Sequence, residues 1–293
     1  MSTLEDGRQV IDFDSKRRVV VTKSDGSSLY ISRDIAAALH RLDSFQPDKI
    51  LYVVEHGQSN HFSNLFEIVS RLAPFSKSQF KHVMFGRIQG MSTRKGTAIM
   101  LSDIMHEAKE RMLEKMEYTM TTKVEQTEEK EHVAEILGIS ALLINDLKQK
   151  KTQNYKFSWN EALKSSGNSG IRLQYSHSRL NNLISENSAY QLTSEDLANL
   201  NVELLSEPEA AQLILRLAQF DEALAETYKD LQPSILVRYL FALCDDTSKA
   251  IKVLQVKGSS EEIAALRLAL FQVAKNVLSY GMSILGLTPL NKM

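Results

Sequence analysis

The amino-acid sequence predicts an α/β domain followed by an all-α helical bundle. Three observations carry this. Up to Thr122, short apolar runs of strand type alternate with stretches whose apolar residues recur at helical spacing. Beyond Thr122 the strand signal disappears and only helical periodicity continues. The composition, 43% hydrophobic with 12 Gly and 5 Pro in 293 residues, suits a well-packed and largely helical chain of one catalytic-sized domain plus a smaller one.

Residues 18–21 and 28–31 read as two short strands joined by the turn-forming Ser24-Asp25-Gly26-Ser27. Ser32 is then placed to cap a helix in which Ile35, Leu39 and Leu42 share a face. The continuous apolar run Ile50-Leu51-Tyr52-Val53-Val54 predicts a strand buried on both faces, as in a parallel sheet. A helix over 62–72, a strand over 82–88 and a helix over about 102–120 complete the alternation. In the second half helices are expected over 133–148 and 174–182. The next starts at Ser206, where Ser206 and Glu209 suit a capping box ahead of Leu213, Ile214, Leu217 and Leu224. Two more follow Pro233 and Ser260, the latter with Ile263, Leu266, Leu270, Val273 and Val277 on one face. There is no internal repeat, and the charged stretch 121–131 reads as a connector.

Several function classes are disfavoured. No stretch approaches the roughly 18 consecutive apolar residues of a spanning helix. The first thirty residues lack the apolar run of a secretory signal and, with Glu5, Asp6, Asp12 and Asp14, are too acidic for a mitochondrial presequence, so any address is expected elsewhere. One cysteine, Cys244, excludes an intrachain disulfide and a Cys-rich zinc site, and reads as a small core residue. Residues 1–123 carry 18 basic and 15 acidic side chains, residues 124–293 carry 17 and 21. A helical half with net charge −4 is not a simple basic nucleic-acid binder; RNA binding there would rest on local patches, shape and loops.

The segment Phe85-Gly86-Arg87-Ile88-Gln89-Gly90-Met91-Ser92-Thr93-Arg94-Lys95-Gly96 brackets hydroxyls and two adjacent cations with glycines, between strand and helix. Such a loop lets backbone and side chains approach a triphosphate, and its composition equally suits a solvated basic turn. Further blocks are Leu29-Tyr30-Ile31-Ser32-Arg33-Asp34-Ile35-Ala36 and Tyr52-Val53-Val54-Glu55-His56-Gly57-Gln58-Ser59-Asn60-His61-Phe62 upstream. Downstream come Phe157-Ser158-Trp159, the stretch Gly167-Asn168-Ser169-Gly170-Ile171-Arg172-Leu173-Gln174-Tyr175, and Tyr280-Gly281-Met282-Ser283-Ile284-Leu285-Gly286. In this order and over nearly the whole chain, the blocks closely resemble the arginyl-tRNA synthetases. Their Met-Ser-Thr-Arg-Lys-Gly loop stands in place of the Lys-Met-Ser-Lys-Ser signature of class I synthetases.

The resemblance implies the distal part of a Rossmann-like class I catalytic domain over 1–123, a helical stem-contact connector over 124–169, and a helical anticodon-binding domain over 170–293. It implies that Tyr30, Asp34 and Gln58 select arginine. A carboxylate accepting a bidentate pair from guanidinium separates arginine from lysine. By residue type alone Asp34 equally suits the first turn of a helix, Tyr30 a half-buried strand and Gln58 a loop. The resemblance further implies that His61, Phe85, Gly86 and Met91 line the ATP site and that Ser92, Arg94 and Lys95 act on the phosphates, with Mg²⁺ as cofactor. Expected partners are L-arginine, ATP and tRNA-Arg, bound by a monomer when full length. The RNA is expected to meet Lys148, Lys150, Lys151, Arg172, Arg179, Arg238 and Tyr239, the last of which by residue type equally suits a core-facing helix position. The wording around Trp159, Gln174 and the last thirty residues looks most like the mitochondrial type, which places the protein in the matrix.

The chain departs from the family pattern at Thr93, where the class I loop has its second lysine, and at Ile171-Arg172, where Pro-Tyr is common. No His-x-Gly-His occurs in the 293 residues. That motif holds ATP's phosphates at a helix N-terminus in class I enzymes. Its absence from the chain keeps open a second reading, a non-catalytic tRNA-binding or interaction protein derived from a synthetase.

Overall fold

The computed structural model describes residues 1–13, 17–73, 77–90, 100–118, 127–191 and 201–293. The chain divides into two units, Met1–Arg87 and Ile88–Met293.

In the first unit, β1 (Ser2–Thr3), β2 (Gln9–Asp12) and β3 (Arg18–Thr22) form an antiparallel sheet with Val10 opposite Val20. The expected second strand over 28–31 is absent. Ser28 makes one isolated bridge to Thr22, and helix α1 (Tyr30–Phe45) already begins at Tyr30. Ser32 is therefore not the cap but lies inside the first turn, where its Oγ accepts from the Leu29 amide and donates to the Val21 carbonyl, tying helix to strand. Parallel strands β4 (Ile50–Glu55) and β5 (Phe80–Phe85) are joined through α2 (Ser59–Leu72), a βαβ crossover. Phe62, Leu65, Phe66, Ile68 and Val69 give α2 an apolar face that packs with Ala38 and Leu42 of α1 and Phe80 of β5.

The strand expected to be buried on both faces is buried on one. Ile50, Tyr52 and Val54 pack on the core, while Leu51 and Val53 are 46% and 65% exposed. A strand's side chains alternate faces, and among the described residues one face of β4 is covered and the other is not.

In the second unit β6 (Ile88–Gln89) pairs in parallel with β7 (Tyr155–Lys156), a strand pair the sequence reading missed. Helices α3 (Leu101–Glu117) and α4 (Thr127–Leu147) pack through Met112, Met116, Val133, Ala134, Leu137 and Ala141. The short α5 (Trp159–Ala162) seats Trp159 against this cluster. The larger core belongs to α6 (Gly170–Glu186), α7 (Pro208–Ala218), α8 (Phe220–Asp230), α9 (Pro233–Val253) and α10 (Glu261–Ile284). Leu173, Leu180, Leu213, Leu236, Leu240, Leu243, Phe271 and Leu278 fill it. α9 starts with Pro233 in its first turn, where a missing N–H costs nothing, and α10 follows Ser260, as the sequence indicates, although the serine side chain makes no capping bond.

Other expectations are corrected. Glu207, not Ser206, precedes α7, and no side chain caps it. Leu224 lies on α8 because Gln219 separates the two helices. Ile214 and Val273 face outward. Cys244 is a core residue, its thiol pushed up to about 11 by burial.

Two close contacts organise α6. A Cβ on Gly170 would fall on the Ser140 carbonyl and within 2.8 Å of the Ala141 nitrogen, so the start of α6 meets the backbone of α4 directly. Along the same helix, buried Gln174 donates to Ser140 Oγ and the Thr288 carbonyl, each at 2.8 Å, and accepts from the Leu290 amide at 2.8 Å. Buried His177 donates from Nδ1 to the Leu290 carbonyl at 2.8 Å.

Candidate functional site

In a parallel βαβ unit the strands deliver side chains and loops to their carboxyl ends, where ligands of such sheets bind. Here that end holds Glu55, the 3₁₀ turn His56–Gln58 and the start of α2, with Phe85 and Gly86 leaving β5 beside them. The two strand ends are tied together. Arg87 donates to Glu55 at 3.0 Å, and this bond holds the Glu55 carboxyl below the usual range. His56 Nδ1 donates to the Phe85 carbonyl at 3.3 Å. His82 Nε2 donates to the Val54 carbonyl at 3.0 Å and its ring packs 4.6 Å from Phe62.

Tyr30, placed on a strand by the sequence reading, opens α1 instead and is 82% exposed. Asp34 follows one turn later, on the same helical face. Its Oδ2 is 2.7 Å from His61 Nε2 on α2, which brings one expected arginine residue and one expected ATP residue into a single pair. Gln58 is exposed in the 3₁₀ turn, and Phe85 is 43% exposed at the last position of β5. Met91, Ser92, Arg94 and Lys95 lie outside the described residues. Among the described residues no group of three or more His, Cys, Asp or Glu is placed to hold a metal ion.

In the second unit the expected RNA-binding cations separate into three kinds. Arg179 lines a cavity of about 550 Å³ with Tyr175, Asn182, Lys115, Lys257 and Met293. Lys148 and Arg238 line a cleft of about 500 Å³ with Lys164, Asn168 and Phe241. Burial pushes the Lys148 and Lys115 ammonium groups down, so an anion nearby would favour their charged forms. Lys151 and Arg172 are committed within the fold. Lys151 donates to the Asp230 and Leu231 carbonyls, closing the end of α8, and Arg172 pairs with Asp245.

Tyr239 is corrected: it is 6% exposed and donates to the Arg216 carbonyl at 2.8 Å. Burial pushes its hydroxyl up to about 12. An apolar helix face claimed it, and the exposed aromatic of this unit's cavity is Tyr175. The sequence reading missed Tyr175 and Asn182 as site residues, although with Arg179 they stand at i, i+4 and i+7, one face of α6.

A parallel nucleotide-type βαβ unit ahead of a helical bundle, with a Met-Ser-Thr-Arg-Lys-Gly segment at the transition, is the organisation of a class I aminoacyl-tRNA synthetase. Residues 1–159 match the family model described as tRNA synthetases class I (R), catalytic domain, and residues 173–293 match the DALR anticodon binding domain. The chain therefore belongs to the arginyl-tRNA synthetase family. It is 41% identical to the cytoplasmic arginine--tRNA ligase of Saccharomyces cerevisiae over 276 residues, 94% of this chain and 45% of that protein. To the mitochondrial ligase of the same yeast it is 38% identical over 292 residues, 98% of this chain and 45% of that protein. The crystal structure of arginyl-tRNA synthetase from Plasmodium falciparum shares the fold, with a TM-score of 0.83 at 24% identity, over all of this chain and 50% of that one. The chain thus spans about half the length of the curated relatives it matches.

Proposed function

We propose that the chain is the distal part of an arginine--tRNA ligase, which joins L-arginine to tRNA-Arg at the expense of ATP. The arginine carboxylate attacks the α-phosphorus of ATP and displaces pyrophosphate; a hydroxyl of the tRNA's terminal ribose then attacks the adenylate carbonyl and displaces AMP. The observation that carries this reading is the acidic Asp34, one helical turn from Tyr30 and paired with His61 at the start of α2, the ligand-binding end of a parallel βαβ unit in a chain of this family. A carboxylate there offers a guanidinium two acceptor oxygens. Phe85 and Gly86 would border the nucleotide, and Ser92, Arg94 and Lys95 would neutralise phosphate charge as it develops. Mg²⁺ enters this reading with ATP.

The domain limits proposed are 1–123 for the catalytic part, 124–169 for the connector and 170–293 for anticodon binding. The cavity with Tyr175, Arg179 and Asn182 supports the last, because an exposed ring, a guanidinium and an amide suit an unstacked base and its phosphate. A mitochondrial site of action is proposed on the wording of the C-terminal blocks, and a monomer as the full-length form. Cytoplasmic and mitochondrial relatives are comparably similar, so fractionation of cells expressing the protein decides the compartment.

Fluorescence titration of the chain with tRNA-Arg and a non-cognate tRNA at several salt concentrations tests the reading. Cognate preference is expected, with each phosphate contact adding roughly 0.7 to 0.9 to the log–log salt slope. Equal binding of both, or none at low salt, refutes it. The second reading is a non-catalytic tRNA-binding or interaction protein derived from a synthetase. Both readings expect no tRNA-dependent ATP–pyrophosphate exchange from residues 1–293 alone, and robust exchange would exclude the second.

A further inference from the structure

We propose that His61 is a positioning residue for arginine selection: by bonding one oxygen of Asp34 it orients the carboxylate that meets the guanidinium. The inference rests on the reading of Asp34 as the arginine-selecting group.

The two side chains come from different helices, Asp34 from the second turn of α1 and His61 from the first turn of α2, and meet at 2.7 Å. The histidine is the better anchored partner. It stands edge-on to Phe62 with centroids 5.3 Å apart, and Phe62 is buried against Tyr52, Phe66 and His82. Asp34 is half exposed, and among the described residues no other side chain bonds its carboxylate. Without His61 the carboxylate would turn freely about two torsions, and binding would have to freeze it.

His61 Nε2 makes one hydrogen bond, to Oδ2 of the carboxylate. A carboxylate has about four lone-pair sites, so one bond to Oδ2 leaves Oδ1 and the second lone pair of Oδ2 for the two parallel N–H groups of a guanidinium. A fixed carboxylate plane favours a planar fork, whereas a mobile one attracts any cation. The pair therefore serves discrimination between arginine and lysine as well as affinity.

The test is the dissociation constant of the chain for L-arginine, L-lysine and ATP in the wild type, His61→Leu, His61→Gln and Asp34→Asn. Gln places an N–H donor where Nε2 stands; Leu does not. Leu is expected to weaken arginine about tenfold while lysine changes by less than about twofold, and Gln to restore most of the loss, a charge-assisted hydrogen bond being at stake. Unchanged arginine binding in His61→Leu, or loss of ATP in its place, overturns the proposal. So does a Gln variant as weak as Leu when both melt like the wild type. Failure of the wild type to bind arginine, or unchanged binding in Asp34→Asn, overturns the underlying reading, and neither result depends on His61.

Discussion

Replacing Gly170 with alanine tests whether α6 and α4 meet through backbone. Considered alone, the helix would gain, because alanine at a helical position is favoured over glycine by up to about 1 kcal/mol. The packing predicts the opposite sign. The added methyl group would lie 2.8 Å from the Ala141 nitrogen and closer still to the Ser140 carbonyl, where ordinary contact begins at 3.4 Å. The backbones must part by at least about 0.6 Å, and neither neighbour is a side chain that can swing away; overpacking of this kind costs about 3 kcal/mol. For a unit of some 200 residues that lowers Tm by roughly 6 to 12 °C. Trp159 is the chain's one tryptophan and packs in the α3–α4 cluster of this unit, so its fluorescence during heating reports the transition. A Tm within about 2 °C of the wild type, or above it, would refute the direct contact.

Three further outcomes follow from the same structure. Burial, the larger effect, lowers the His177 pKa although its bond to Leu290 acts the other way. The unfolded chain then binds a proton the folded chain resists, so stability present above the ordinary histidine value near 6.5 falls as pH drops through it. Urea midpoints should decline below that pH and the His177→Gln variant should decline less; equal declines would remove His177 as the cause. Tyr239→Phe removes the hydroxyl donor to the Arg216 carbonyl, which keeps only the Gln219 amide, and should cost about 1 kcal/mol without changing tRNA affinity, since the ring is buried. A selective loss of tRNA binding in calorimetry would restore it as an RNA contact. Val53→Lys, on the open face of β4, should reduce self-association of the 293-residue chain in sedimentation experiments; no change would show that this face is not what associates.

The division into an α/β half and a helical half was readable because it rests on periodicity over long windows, and the two long helices after Pro233 and Ser260 begin where proline and serine mark them. Local contests were less legible. Leu29-Tyr30-Ile31 has strand-like residues, yet helix α1 claims Tyr30 because Ser32 can bond both the Leu29 amide and the Val21 carbonyl. β6 and β7 are two residues each and lie 66 positions apart, too short for a periodic signal. Apolar character announced β4, but not that Leu51 and Val53 stay uncovered, which depends on what lies above them. Among the candidate site residues, the spacing of Tyr30 and Asp34 is visible in the chain, while the Asp34–His61 pair is a tertiary contact no spacing reveals. Tyr175 and Asn182 were legible as sharing a helical face with Arg179 and were passed over for Tyr239, which an apolar helix had already enclosed.

The grip of Gln174, His177 and Asn181 on residues 288–291 has a consequence for synthesis. These three side chains sit more than a hundred positions upstream of the backbone they hold, and Gln174 and His177 have their polar atoms sealed from water once it is in place. While residues 288–291 are still inside the ribosomal tunnel, the helix can form but those groups have no partner. The helical unit is therefore expected to remain loose until residues 288–291 have emerged and then to close in one step, which makes that stretch the latch of its folding.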